Sequence, residues 1–269
     1  MPSPTSVIST KLSLFILKKT GIVVVPGQQA LLENRIELLC KDHGFPNADK
    51  LLEALEKPSS GELLSTFISN ITINESLWFR DGHPFEIMVH LLKEQLGHYS
   101  KVRIWSAACS TGQEPYSLAI KLAEAKVPLN KYEIFASDLS PKVIEQAKSG
   151  RYDEFSISRG LSKELLLKYF HQQESQWVIQ PELRKNLDFK EVNLSEKIAH
   201  LGQFNMVLIR NVLIYFSDEF RKNLIQRIYD QLLPGGIVFV GGCESILDVH
   251  PHLKLKNLNN TLYYQKEAP

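Results

Sequence analysis

Residues 104–117, Ile-Trp-Ser-Ala-Ala-Cys-Ser-Thr-Gly-Gln-Glu-Pro-Tyr-Ser, constrain the fold of this chain more than any other segment. Val102, Ile104 and Trp105 suit a strand; Ala107, Ala108, Ser110 and Gly112 allow a tight turn with close backbone approach to a ligand; Pro115 suits a first helical turn. A strand that breaks into a small-residue turn and then opens a helix is a cofactor cradle at the end of an open α/β sheet. The dinucleotide fingerprint GxGxxG is absent, because Gly112 is the lone glycine of the turn, so a nicotinamide or flavin dinucleotide is disfavoured. Glu114 at the helix start points the same way. A carboxylate there repels phosphate but can receive the ammonium group of an amino-acid-like ligand.

The second half of the cradle is the run Tyr132-Glu-Ile-Phe-Ala-Ser-Asp138, aromatic and β-branched and ending in an acid. An acid at the carboxyl end of the second strand accepts hydrogen bonds from both ribose hydroxyls, which a 2′-phosphate would forbid. A nucleoside with a free ribose and a zwitterionic tail describes S-adenosylmethionine. Taken singly, Asp138 also reads as the N-cap of the helix near Pro141 and Glu114 as an ordinary helix-start carboxylate. Their places on consecutive strand ends favour the ligand.

From Lys101 onward strands alternate with helices: strand 102–107, helix 114–125, strand 132–137, helix 141–149, strands 187–192 and 204–209, helix 217–233, strand 236–241 and a closing strand near 261–266. That order implies a parallel sheet covered on both faces. Leu233-Pro-Gly-Gly236 reads as the breaker between the last helix and its strand. Before this region, residues 9–19, 28–42, 49–55 and 61–68 carry apolar positions at helical spacing, separated by loops with Gly21, Pro26, Gly44, Pro46 and Pro58. Residues 1–72 are therefore expected to form a helical N-terminal domain and 73–269 the sheet domain, interrupted by an insertion over about 156–186. Within it, Ser162 to Phe170 is helix-like. Gln176-Trp-Val-Ile-Gln180 reads as a short strand or hairpin, whose Trp177 either meets a partner or packs back onto the domain.

Composition narrows the partners. Lys+Arg 31 against Asp+Glu 30 leaves a formal net charge of +1, which gives no global attraction to nucleic acid. Cys40, Cys109 and Cys243 are far apart and in no CxxC pair, so neither a disulfide framework nor a metal site is indicated and a reducing cytoplasm is expected. The start, Met-Pro-Ser-Pro-Thr-Ser, lacks a signal pattern and no apolar run approaches membrane-spanning length. Neither export nor membrane insertion is expected. The histidines, His83 among them, show no HExxH spacing.

Two further segments carry chemistry. In residues 70–81, Asn74 and Ser76 can orient polar ligand atoms, Trp78 and Phe79 can supply apolar walls, and Arg80 can clamp a carboxylate. The same residues also suit a capped helix through Leu77 with a solvated Arg80. In residues 204–216, Arg210, Asn211 and Tyr215 follow a buried strand at the sheet end where such folds bind ligands. Asn193, after the strand ending at Val192, holds the matching place on the neighbouring edge, or is an ordinary turn asparagine.

Four spaced segments then carry a resemblance: Asn74-x-Ser-x-Trp-Phe-Arg80; residues 105–117; Ala136-Ser-Asp138 followed by Ala147-x-x-Gly-x-Tyr152; and Arg210-Asn-Val-x-Ile-Tyr-Phe216. In order and over nearly the whole chain, they resemble the CheR-type chemotaxis receptor methyltransferases. The resemblance implies a class I S-adenosylmethionine methyltransferase fold, Rossmann-like with a mostly parallel sheet, bearing a small helical N-terminal domain and a short β-insertion. It implies S-adenosyl-L-methionine as donor, S-adenosyl-L-homocysteine as product and glutamate side chains in the cytoplasmic helical region of bacterial chemoreceptors as acceptors. It places cofactor contacts on Asn74, Ser76, Arg80, Glu114, Asp138, Asn193, Leu194, Arg210 and Asn211, with Arg80 and Tyr215 beside the transferring methyl. Ser76 stands where threonine is usual, Cys109 replaces a small residue, and Cys243 precedes Glu244-Ser245 where serine is usual. A glycine-rich hairpin with which some members grip a receptor's C-terminal peptide is not evident between Phe170 and Leu187. Recognition would then fall to the N-terminal helices, where Lys18, Lys19, Arg35 and Lys41 form either a basic face or an ordinary solvated amphipathic surface.

The chemistry agrees with this inventory. A glutamate with a pKa of about 4.3 is already a nucleophile at neutral pH, so carboxylate methylation needs no general base. A monomer is expected. The alternatives are a non-catalytic S-adenosylmethionine-binding signalling module and a methyltransferase acting on a small carboxylic acid.

Overall fold

The computed structural model describes residues 10–24, 26–82, 84–247 and 249–267; Ser9, the expected first residue of the first helix, and His83 lie outside the described residues. Four helices open the chain: α1 (Thr10–Thr20), α2 (Pro26–Asp42), α3 (Ala48–Leu55) and α4 (Gly61–Ile71). Leu12, Phe15 and Ile16 on α1, Leu32, Ile36 and Leu39 on α2, and Leu51, Leu52 and Leu55 on α3 recur at three- and four-residue steps. With Phe67 and Ile71 of α4 they close a core separate from that of the sheet. Asn47 caps α3, its side chain accepting from Lys50 N at 3.0 Å.

The sheet follows a helix absent from the sequence reading, α5 (Pro84–Gln95), which buries Phe85, Met88 and Leu92. The remaining elements are β1 (Val102–Ala107), α6 (Gln113–Glu124), β2 (Tyr132–Asp138), α7 (Pro141–Ser149), β3 (Arg151–Tyr152), α8 (Glu154–Ser158), α9 (Lys163–Tyr169), β4 (Phe170–Gln173), β5 (Gln176–Ile179), α10 (Pro181–Arg184), β6 (Leu187–Glu191), β7 (Phe204–Ile209), α11 (Asp218–Gln231), β8 (Leu232–Val240), β9 (Leu253–Leu258) and β10 (Thr261–Lys266). Seven strands form one sheet in the order β6-β2-β1-β7-β8-β10-β9. Its first five strands are parallel, and β10 runs antiparallel to both neighbours. This is the class I methyltransferase arrangement. Successive residues of a strand face opposite sides: Ile104 joins the core under α5 and α6, Trp105 the core under α11.

One expectation is corrected here. Leu233-Pro-Gly-Gly236 does not separate helix from strand. β8 begins at Leu232, which pairs with Phe204, and Ile237 pairs with Met206, so the tetrapeptide is a bulge inside the strand. Gln95 Nε2 and Gln265 Nε2 satisfy the Gly235 carbonyl at 2.9 and 3.2 Å. The closing strand is half of a hairpin with β9, joined by Asn259 and Asn260 at φ 48° and 62°. Asn-Asn at both left-handed positions is a hairpin signal that the sequence carried.

The insertion builds its own three-stranded sheet, β3-β5-β4, antiparallel throughout. A hairpin is therefore present where no glycine-rich one was evident; its turn uses Glu174 at φ 57°. Trp177 is half-buried against the main core, with Nε1 donating to Glu154 Oε2 at 2.7 Å. Among the described residues no helix is long and apolar enough to cross a membrane.

Candidate functional site

The carboxyl ends of β1, β2 and β7 open onto a cleft whose far wall comes from the N-terminal helices. At the end of β1 the chain turns through Ala108 and Ser110, both left-handed at φ 57° and 51°. Cys109 N donates to Ser137 O at 2.9 Å and Ser110 N to Asp138 Oδ2 at 2.9 Å, which ties the turn to the end of β2. Asp138 Oδ1 accepts from Ser140 N at 3.0 Å. With Leu139 N–H a third backbone donor, the carboxylate still keeps acceptor capacity for a further donor. Burial raises the Asp138 pKa above its ordinary value, against the backbone N–H groups of Ser140, Ser110 and Leu139. Gly112 has a different part from the ligand approach expected of it. A Cβ there would meet Ala147 Cβ at 3.0 Å and the Tyr152 hydroxyl at 3.2 Å, so its smallness serves packing against α7 and the insertion.

Residues 73–77 are irregular rather than a capped helix. Ser110 Oγ donates to Asn74 O at 2.8 Å, Asn74 Nδ2 to Thr72 Oγ1 at 3.1 Å, and Arg35 Nη1 to Asn70 O and Thr72 O at 3.1 and 2.8 Å. The two aromatics expected as cleft walls stand elsewhere. Trp78 is fully buried, edge-on to Tyr152 and Phe170 of the insertion at 4.9 and 5.3 Å, while Phe79 packs on Phe85. Ile73 and Leu77 line the cleft in their place, opposite Ile22 and Leu32.

Arg210 follows β7 with its side chain 1% exposed, between two carboxylates. Nη1 donates to Glu114 Oε2 at 2.9 Å, and Nη2 to Asp81 Oδ2 at 2.8 Å and to the Arg80 carbonyl at 2.7 Å. Ser106 Oγ holds the other Glu114 oxygen at 2.7 Å. The guanidinium is therefore a strut that fixes Glu114 and the Arg80 backbone, and pairing makes its burial tolerable. Beyond it, Tyr215 is half-buried; burial raises its pKa, Arg80 lowers it, and Glu75 and Glu244 raise it. Its phenol is protonated at neutral pH.

Asn74, Ser76, Arg80, Glu114, Asp138, Leu194, Arg210, Asn211 and Tyr215 all line this one cleft. Asn193 does not: its Nδ2 donates to Lys19 O at 2.8 Å and its Oδ1 accepts from Ser195 N at 2.9 Å, which pins the end of α1 to the sheet. The sequence reading missed Asp81 and Glu244, whose carboxylates organise the Arg210 and Asn211 loops. No local spacing marks either one, since each acts across the sheet end.

Residues 74–262 match the family described as "CheR methyltransferase, SAM binding domain". The chain is 36% identical to "Chemotaxis protein methyltransferase 1" of Pseudomonas aeruginosa over 263 residues, covering 94% of this chain and 95% of that one. It is 34% identical to "Chemotaxis protein methyltransferase Cher2" of Pseudomonas putida over 263 residues, with 94% and 95% covered. To "Chemotaxis protein methyltransferase" of Salmonella typhimurium the identity is 32% over 247 residues, with 90% and 84% covered.

Proposed function

The chain belongs to the CheR methyltransferase family, and from that premise we propose that it transfers a methyl group from S-adenosylmethionine to glutamate carboxylates of chemoreceptors, in the cytoplasm. The observation that carries the reading is a pair of acids on one cleft, Glu114 in the first turn of the helix after β1 and Asp138 at the end of β2. The donor set fits the cofactor. Asp138 retains acceptor capacity suited to a ribose diol, and Glu114 presents negative charge to an ammonium group. Of the two cations lining the cleft, Arg210 is already paired with carboxylates, so a polyphosphate would find little to bind. Asn74, Ser76, Leu194 and Asn211 complete the proposed contacts; the Asn193 side chain, committed to Lys19 and Ser195, only props its neighbour. We place the division between the helical domain and the methyltransferase domain at residues 72 and 73, where the helical core ends with Ile71.

When bound, S-adenosylmethionine supplies an electrophilic methyl on its sulfonium. The acceptor glutamate is anionic at neutral pH, its pKa being about 4.3, so the residues of this chain abstract no proton. Arg80 orients the incoming carboxylate by hydrogen bonds, and the protonated Tyr215 phenol holds the reacting groups in line. Ile22, Leu32, Ile73, Leu77 and Val212 make the cleft walls apolar. Excluding water in this way favours a reaction that joins opposite charges into neutral products.

Incubation with radiolabelled methyl donor and a membrane fraction from the protein's own source tests the reading. Alkali-labile label on receptors is expected. Tight S-adenosylhomocysteine binding with no transfer would favour a sensing module, and label appearing only in small acids would favour a small-molecule enzyme.

A further inference from the structure

β7 and β8 are neighbouring parallel strands, in register to Ile209 and Val240, so the chain leaves the sheet side by side at Arg210-Asn211 and at Gly241. Backbone N–H groups beyond a strand end must find new acceptors. One carboxylate serves both exits. Glu244 Oε2 accepts from Asn211 N at 2.6 Å and from Gly241 N at 2.7 Å, while Oε1 takes a longer bond from Ile214 N at 3.3 Å. The base of this arm is fixed. Glu244 N donates to Gly241 O at 2.9 Å, Ile246 N to the Tyr264 hydroxyl at 3.1 Å, and the Ile246 side chain is fully buried.

The junction has no slack. A Cβ on Gly241 would lie 2.6 Å from Asn211 Nδ2, 2.7 Å from Glu244 Oε2 and 2.9 Å from Asn211 N. Asn211 itself is left-handed at φ 58°, a conformation that persists where the surroundings over-determine it. Residues Leu213–Tyr215 then form one turn of 3-10 helix, and Tyr215 lines the cleft.

We propose that Glu244 is a positioning residue for methyl transfer, its carboxylate fixing the Asn211–Tyr215 turn and with it the place of the Tyr215 phenol. The proposal rests on the methyltransferase reading of the cleft. The Glu244 charge also joins burial and Glu75 in raising the Tyr215 pKa against the pull of Arg80.

Amide hydrogen exchange and turnover test it together. In folded Glu244→Ala, the Asn211 and Gly241 amides should exchange at least about tenfold faster than in the wild type, while β1 amides keep their protection. Receptor-methylation kcat should fall about ten- to a hundredfold, more than S-adenosylhomocysteine affinity changes. Glu244→Gln, whose carbonyl oxygen can accept from both N–H groups, should restore protection and most of the turnover. In a Tyr215→Phe background, Glu244→Ala should cost less than about threefold, because the two changes act through one group. Should Glu244→Ala fail to fold, Glu244→Asp, with its shorter arm, is read the same way. Unchanged protection of both amides, or a full loss of turnover that persists in Tyr215→Phe, would overturn the proposal. A wild-type protein that transfers no methyl would sink the functional reading alone, and amide exchange would still decide whether Glu244 holds the turn.

Discussion

Asp138 is the residue on which the cofactor reading turns. Asp138→Ala should weaken S-adenosylhomocysteine binding by about 1–3 kcal/mol, the cost of losing a charged hydrogen-bond partner, as read by calorimetric titration. Its pH dependence has a definite sign. Burial raises the folded-state pKa, so between the unfolded and folded values the native state binds the extra proton, and this group's contribution to stability falls as pH rises through that window. Ribose binding runs the other way, because the anion is the acceptor. Affinity for S-adenosylhomocysteine should weaken as pH is lowered toward the raised Asp138 pKa, and Asp138→Asn should flatten that dependence. Tyr215→Phe and Arg80→Ala should lower turnover about ten- to a hundredfold while changing S-adenosylhomocysteine affinity less, because alignment is felt in the transition state; initial rates beside titrations separate the two. Asp138 and Glu114 were legible in the sequence as acids after the first two strands, and the structure brings both to one cleft. The strut role of Arg210 was not, because its partners Asp81 and Glu114 lie 129 and 96 residues away along the chain.

At the scale of elements, the insertion and the cleft lip are one mechanical unit. Trp78 N donates to Arg159 O at 3.1 Å, its ring lies between Tyr152 and Phe170, and Glu75 on the lip is ion-paired to Arg159. Gly160 completes the joint: at φ 104° its added Cβ would stand 2.2 Å from the Trp78 carbonyl oxygen. Gly160→Ala should therefore destabilise the protein by about 1–3 kcal/mol, visible as a lower urea midpoint at unchanged slope. The alternating strands and helices were readable because each buries a periodic apolar face. Trp78 was misjudged for a physical reason: an aromatic in a polar linker looks like a pocket wall until the insertion that covers it is placed. The bulge at Leu233-Pro-Gly-Gly236 was misread because proline and glycine mark a breaker and an irregular strand alike.

For the whole molecule, the cleft exists only because the helical region docks on the sheet end. Val23 N donates to the Tyr215 carbonyl at 2.8 Å, Ile22 bridges to Phe216, and Lys19 O accepts from Asn193 Nδ2 and Ser195 Oγ at 2.8 and 3.1 Å. Arg35, first read as part of a basic recognition face, instead holds the carbonyls of Asn70 and Thr72. Lys18 and Lys19 remain exposed at the end of α1, next to cleft-lining Thr20. Reversing their charge should raise the apparent KM for receptor several-fold, about 3- to 30-fold, with cofactor affinity unchanged, and added salt should slow the wild-type reaction over a Debye length of about 8–10 Å. Steady-state kinetics against receptor concentration at two ionic strengths measures both. The most direct test of the central claim is mass spectrometry of a chemoreceptor's cytoplasmic fragment after incubation with the protein and S-adenosylmethionine. One added methylene on glutamate side chains, removed by mild alkali and absent with Asp138→Ala at limiting cofactor, is the predicted result. An unmodified receptor, or methylation confined to lysine, arginine or a small molecule, would contradict it.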